Sequence, residues 1–370
     1  MARKNNIGLV TWTGGYNYGT VLQAYALNRV LLELGDRVEI IRHYSLVWGI
    51  KLSLDRVLYP LGINILRTRD DGSAKIRKVR AFQKKHLKIH KVVGGFGFGL
   101  ARLKFDRFVC GSDQIWNTRN AFDPFLFLDF TGKKDRISYA ASIGNPEIEP
   151  ERRDSLRMLL SGFKAISVRE ESARIALTGL TGRDDIVRTL DPTLLLNARE
   201  WCSSMDGDGS DPLPDRYALV YVLRRKDDYD DVIRCIKEAR GLDKVFIIPS
   251  GEFPDIESGY ATVLKDTGPE EFIRLFRGAS FVLTDSFHGT AFSINFNVDF
   301  ACMKRFDDND PNSQNSRIYD MLRDFGIGGR FFDRTDREWL NPVAWDDVNA
   351  RLEDMRQFSF GFLRKNLCHE

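Results

Sequence analysis

Phe281-Val282-Leu283-Thr284-Asp285-Ser286-Phe287-His288-Gly289-Thr290-Ala291-Phe292-Ser293-Ile294 is the stretch on which the fold turns. Its first three residues are apolar and predict a buried strand. A polar crest follows, Thr284-Asp285-Ser286, then a His-Gly pair, then an apolar run that predicts a helix opening at Thr290. In an open α/β sheet a ligand lies at the carboxyl end of a strand, where the next helix begins. The N–H groups and partial positive charge of a helix start suit an anion. A histidine at that junction is able both to bind an anion and to pass a proton near neutral pH. It would serve equally as a structural bond inside a strand–helix corner, so the rest of the chain has to decide.

With 370 residues the chain exceeds the usual size of a single core and predicts two domains. Apolar content of 43% and charged content of 29% describe an ordinary soluble globular protein. The net charge of +3 makes no case for nucleic acid as a partner. Cys110, Cys202, Cys235, Cys302 and Cys368 are scattered, odd in number and without a C-x-x-C pair. That argues against a disulfide framework or a zinc site and for a reducing compartment; no metal ligands are expected. No apolar run approaches the length of a membrane span, and Met1-Ala2-Arg3-Lys4-Asn5 lacks a signal peptide's apolar core. The expected location is the cytoplasm.

The chain opens with a predicted strand, Ile7 to Trp12, and a glycine-rich turn, Thr13-Gly14-Gly15-Tyr16-Asn17-Tyr18-Gly19. Thr20 is a plausible N-cap for a buried helix from Val21 to Leu34, closed by Gly35. Val38 to His43 completes a βαβ unit, but the glycine spacing fits neither a dinucleotide fingerprint nor a Walker loop. Lys75 to Lys91 is strongly basic, and no acidic residue interrupts Gly72 to Phe105. A solvated helix face accounts for this run; a surface for anionic lipid is the alternative. Arg107 to Cys110 predicts a short strand entering Gly111-Ser112-Asp113-Gln114-Ile115-Trp116-Asn117. Hydroxyl, carboxylate, amide and indole groups at a strand end are the mixture that sugar sites use.

Arg136 to Ile143 and Ala165 to Val168 predict further strands, the second ending at Arg169-Glu170-Glu171. An arginine there suits capture of a carboxylate or phosphate; an ion pair with Glu170 or Glu171 explains it as well. Ser203 to Asp215 has linker composition. The β/α pattern then restarts with the strand Tyr217 to Leu223, ending at Arg224-Arg225. Asp307 to Ser316 is polar and expected to be a mobile loop, and Ala344 to Phe362 is helical in pattern.

Six stretches in order resemble the polysaccharide pyruvyl transferase family: Asn17 to Leu27, Gly111 to Asn117, Ser138 to Ser142, Ser167 to Glu170, Asp191 to Leu195 and Thr284 to Thr290. The resemblance implies an α/β fold of two Rossmann-like domains facing a cleft, similar to GT-B glycosyltransferases. The expected division is residues 1–205 (acceptor side, with Arg169), a linker at 206–216, residues 217–340 (donor side, with His288), and a helix at 341–370 that packs back on the first domain. The family implies transfer of the pyruvyl unit of phosphoenolpyruvate onto a sugar as a ketal. Phosphoenolpyruvate is then the donor substrate and no cofactor is expected.

His288 is the expected acid, with Arg169 and Arg224 (or Arg225) expected to hold the donor. Asp113 and Asp285 are the candidate bases. Asn17, Tyr18, Gly19, Thr20, Gly111, Ser112, Gln114, Trp116, Ser286, Phe287, Gly289 and Thr290 are the candidate substrate contacts. Many members carry an acid right after the N-x-G turn, where Thr20 stands here. The acceptor is expected to be a sugar, an oligosaccharide or a lipid-linked glycan, with residues 75–91 as a contact for the inner face of an anionic membrane. A nucleotide-sugar glycosyltransferase and a non-catalytic sugar-binding relative are the competing readings.

Overall fold

Strand pairing in the computed structural model is parallel throughout the described residues and divides the chain into two sheets. The structure describes residues 5–14, 17–35, 37–48, 50–51, 54, 73–119, 122–145, 147–205, 212–224, 229–250, 257–310 and 313–368. Arg225, Gly15, Tyr16 and most of the expected linker, residues 206–211, lie outside them.

The first sheet and its helices run in the order β1 (Asn6–Val10), α1 (Tyr18–Leu34), β2 (Arg37–Tyr44), α2 (Ala74–His86), β3 (Ile89–Val93), α3 (Gly94–Lys104), β4 (Arg107–Cys110), β5 (Arg136–Ala141), α4 (Arg153–Ser161), β6 (Ala165–Val168), α5 (Glu171–Thr181), β7 (Val187–Arg188), α6 (Pro192–Leu195) and α7 (Ala198–Met205). The second set is β8 (Tyr217–Tyr221), α8 (Tyr229–Arg240), β9 (Lys244–Ile247), β10 (Thr262–Val263), α9 (Pro269–Gly278), β11 (Phe281–Thr284), α10 (Phe287–Asn295), β12 (Phe300–Cys302), α11 (Ser316–Asp324) and α12 (Trp345–Leu367). Strand order is β3-β2-β1-β4-β5-β6-β7 in the seven-stranded sheet and β10-β9-β8-β11-β12 in the five-stranded one. Both are doubly wound, with the order reversing at β1/β4 and at β8/β11. This is a pair of Rossmann-like α/β domains facing a cleft.

Two helix starts differ from the sequence reading. The cap of α1 is Asn17, whose side chain accepts from Gly19 N at 2.9 Å, and Thr20 lies inside the helix. The cap of α10 is Ser286, so the helix opens at Phe287 and not at Thr290. Asn and Ser satisfy N–H groups that the first turn cannot bond internally. Both helices are buried nearly all round, which removes the polar face that would have marked their starts.

One apolar cluster runs through both domains, joining Leu22, Tyr25 and Leu27 of α1 to Phe272, Phe276 and Phe292. Tyr18 stacks on Phe272 at 4.6 Å and donates to Thr267 O at 2.8 Å. The basic helix α2 faces this junction. Lys75 is buried and donates to Pro249 O at 2.9 Å, Lys78 pairs with Glu271, and Lys85 pairs with Glu270 at 2.9 Å. Three of the cations expected at a membrane therefore bind the second domain. Helix α12 leaves the second domain and lies on the first, where Ser359 Oγ accepts from Leu190 N and Asn5 donates to Leu367 O. No helix among the described residues is long and apolar enough to cross a membrane.

Candidate active site

The reversals of strand order in both sheets open onto the same space, a cleft of about 470 Å³. In open α/β sheets that position is where ligands bind. The first domain lines it with Trp12 and Gly14 beyond β1, Asn17 and Thr20 at the start of α1, and Asp113, Gln114 and Asn117 beyond β4. The second domain contributes Leu223 beyond β8, Asp285, Ser286, Phe287 and His288 between β11 and α10, and Arg305, Gln314 and Arg317.

His288 sits in the first turn of α10. Ser286 Oγ accepts from Gly289 N at 3.3 Å, and Thr284 Oγ1 comes so close that a Cβ on Gly289 would lie 2.1 Å from it. The imidazole crosses to the first domain and fills the space above Gly19. Its Nε2 is 3.6 Å from Asp191 Oδ2, beyond hydrogen-bond reach but within ion-pair range. That nitrogen is buried and has no hydrogen-bond partner among the described residues.

Asp191 is fully enclosed and held from several sides. Its Oδ1 accepts from Thr193 N at 3.0 Å and Thr193 Oγ1 at 2.8 Å, while its Oδ2 accepts from Arg169 Nη1 at 2.8 Å and Ser112 Oγ at 3.2 Å. Burial alone would favour the neutral acid, but the neighbouring His288 and Arg169 outweigh it and hold the carboxyl well below the usual range. Arg169 is the matching cation, with its side chain 1% exposed. Its Nε donates to Glu170 Oε1 at 2.8 Å, and its guanidinium lies 4.0 Å from the Phe287 ring centroid. Burial opposes the charge, and Glu170, Asp191 and Asp113 together raise the group's pKa above the ordinary value.

The residues expected from the sequence divide into three groups. Asn17, Thr20, Asp113, Gln114, Asp285, Ser286, Phe287 and His288 line the cleft. Ser112 and Arg169 lie behind that wall and hold Asp191, and Gly19 leaves room for the His288 ring. Tyr18, Gly111, Trp116, Gly289 and Thr290 do not line it. Tyr18 is in the junction of the two domains; Gly111 lies against the Tyr139 carbonyl; Thr290 Oγ1 bonds back to Ser286 O. Trp116 stacks on Phe127 in the first domain's core, with centroids 5.4 Å apart, and donates to Leu126 O. The indole at the cleft belongs to Trp12, 37% exposed. Arg224 is exposed, its guanidinium 5.5 Å from the Phe306 ring centroid, and it does not line the cleft.

Thr20 donates to Asp113 Oδ2 at 2.8 Å, so a second acid at position 20 would face the first. Asp285 accepts from Leu223 N at 2.6 Å and Arg224 N at 3.0 Å, tying the ends of β8 and β11 together. Sequence reasoning placed Asp191 in a family-like stretch without giving it a site role, and gave none to Trp12, Arg305, Gln314 and Arg317. An Asp before Pro-Thr is a recognisable helix cap, which was the available signal for Asp191.

A family model, polysaccharide pyruvyl transferase, matches residues 17–305. The chain belongs to that family. In this family member the match takes in every cleft residue except Trp12, Gly14, Gln314 and Arg317. No curated sequence is similar enough to match. Among solved structures, UDP-N-acetylglucosamine 2-epimerase from Rickettsia bellii is 10% identical over 99% of both chains, with a TM-score of 0.45. Acinetobacter baumannii MurG is 10% identical over 98% of this chain and 99% of its own, also at 0.45. Likeness this remote says nothing of what the cleft holds.

Proposed function

We propose that this transferase-family protein moves the pyruvyl group of phosphoenolpyruvate onto a sugar of a polysaccharide or its precursor, closing a ketal across two hydroxyls and releasing phosphate. The observation that carries this reading is His288, which lines the cleft with the buried Asp191 carboxylate 3.6 Å from its Nε2. In the proposed reaction His288 gives a proton to the methylene carbon of the donor, and positive character develops at the adjacent carbon. A sugar hydroxyl attacks that carbon and its proton passes to a carboxylate. The bond to phosphate then breaks, taking its electron pair, and the second hydroxyl closes the ketal as its proton leaves with phosphate. The first carboxylate's proton restores His288.

Asp113 suits the base better than Asp285, because both oxygens of Asp285 already accept backbone N–H groups. The exposed Trp12 ring offers a face to an acceptor sugar, with Asn17, Gln114 and Asn117 for its hydroxyls.

A thermal-shift titration with phosphoenolpyruvate, UDP and GDP tests the reading, since a ligand that binds the native state raises the melting temperature. A rise with phosphoenolpyruvate alone supports it; a rise with a nucleotide alone replaces it with nucleotide-sugar transfer. His288→Ala should fold normally and lose roughly 10²–10⁴-fold in turnover.

A further inference from the structure

We propose that Arg317, with Arg305 on the same wall, is the seat for the donor's phosphate group, a role the family resemblance gave to Arg169 and Arg224. The proposal rests on the pyruvyl-transfer reading for the identity of the ligand. Arg169 is enclosed and already neutralised by Asp191 and Glu170. Arg224 does not line the cleft. Arg305 and Arg317 do.

Arg317 combines burial with an unmatched charge. It is 9% exposed, and none of the described carboxylates lies within ion-pair distance of it. Its hydrogen bonds go to Gln314, from Nε to the carbonyl at 3.3 Å and from Nη2 to Oε1 at 2.7 Å. The same Gln314 Oε1 accepts from Gln114 Nε2 at 2.9 Å across the cleft. With its amide turned over, Gln114 would accept from Arg317 Nη1 at 2.8 Å. Neutral amides thus fix the guanidinium in place without cancelling its charge. Burial, reinforced by the repulsion of Arg169, outweighs the more distant pull of Glu170 and Asp113 and pushes the pKa of the group down to about 10.

A buried cation with no carboxylate in contact is costly to the folded chain. A phosphate in the cleft supplies the missing charge, and a planar guanidinium receives it through two parallel bonds. The first turn of α10 faces the same space and suits the same anion. The cleft's own carboxylates are engaged elsewhere: Asp113 with Thr20, and Asp285 with the N–H groups of Leu223 and Arg224.

Isothermal titration calorimetry on the full chain, with phosphoenolpyruvate and separately with inorganic phosphate, tests this alongside melting without ligand. Arg317→Gln should weaken phosphoenolpyruvate by at least roughly tenfold, while its ligand-free melting temperature stays level or rises. A purely structural arginine would lower that temperature and leave affinity alone. Wild-type binding of phosphoenolpyruvate with equal affinity in Arg317→Gln overturns the seat and leaves pyruvyl transfer standing. Binding of inorganic phosphate alone, lost in Arg317→Gln, keeps the seat and overturns the donor. Wild-type protein that takes up neither ligand overturns both. Should Arg317→Gln unfold, a folded Arg317→Lys of unchanged affinity overturns the seat, because lysine lacks the fork.

Discussion

Gly19 of the first domain leaves the space that the His288 ring of the second domain occupies: a Cβ on Gly19 would lie 2.1 Å from His288 Nδ1. Gly19→Ala should therefore push the imidazole off its position beside Asp191. Turnover should fall nearly as far as in His288→Ala, and overpacking should lower stability by roughly 1–3 kcal/mol. Steady-state kinetics and urea unfolding read the two effects; unchanged turnover would show that the ring does not need this position.

Asp191→Asn keeps the shape of the buried partner and removes its charge. A roughly hundredfold fall in kcat with little change in donor affinity is expected if Asp191 acts by holding His288. An equal loss of donor affinity would instead make Asp191 part of the binding surface. Asp191 is ionised in the folded chain well below its usual range, so its stabilising contribution is full above the unfolded pKa of roughly 3.9 and is lost as pH falls through the folded value.

Removing the buried cation Arg169 strands two carboxylates, Asp191 and Glu170. Arg169→Met should cost roughly 3–5 kcal/mol in urea unfolding. A variant of near wild-type stability, with donor binding abolished, would return Arg169 to the ligand site.

Lys75 lies 4.6 Å from the centre of the Tyr18 ring and donates to Pro249 O across the domain junction. Burial lowers its pKa from the ordinary 10.5 to about 8. Between those values the unfolded chain holds the proton more tightly than the folded one, so raising the pH through that window stabilises the fold. Relative to Lys75→Met, the wild type should gain at most about 1.4 kcal/mol per pH unit there. Urea midpoints of both proteins at pH 7 and pH 10 check the sign, and a constant difference would mean that the amine is solvated.

The strands and their alternation with helices were legible because buried parallel strands such as Phe281–Thr284 and Ala165–Val168 carry their signal locally, whereas the strand order did not show in the sequence. The site was legible where polar groups crowd a strand end, as at Asp285-Ser286-Phe287-His288. Trp116 misled because its surroundings in sequence are polar while its partner Phe127 is met only after the chain turns back. Lys78 and Lys85 misled in the opposite way, since their acids, Glu271 and Glu270, are distant in sequence. Arg317 had no local signal at all: the polar run before it reads as a loop, and only tertiary structure shows the loop, with Asn315 bonded to Phe306 O, seating a cation in the cleft.

The apolar cluster continuous through both domains bears on how the protein turns over. Pulling the domains apart would expose Tyr18, Tyr221 and Phe272 to water and separate His288 from Asp191. Interfaces of this kind resist the rigid-body motion that is the default between domains. The cleft is therefore a standing slot between two halves that stay docked, and a ligand should be able to enter it without the domains opening.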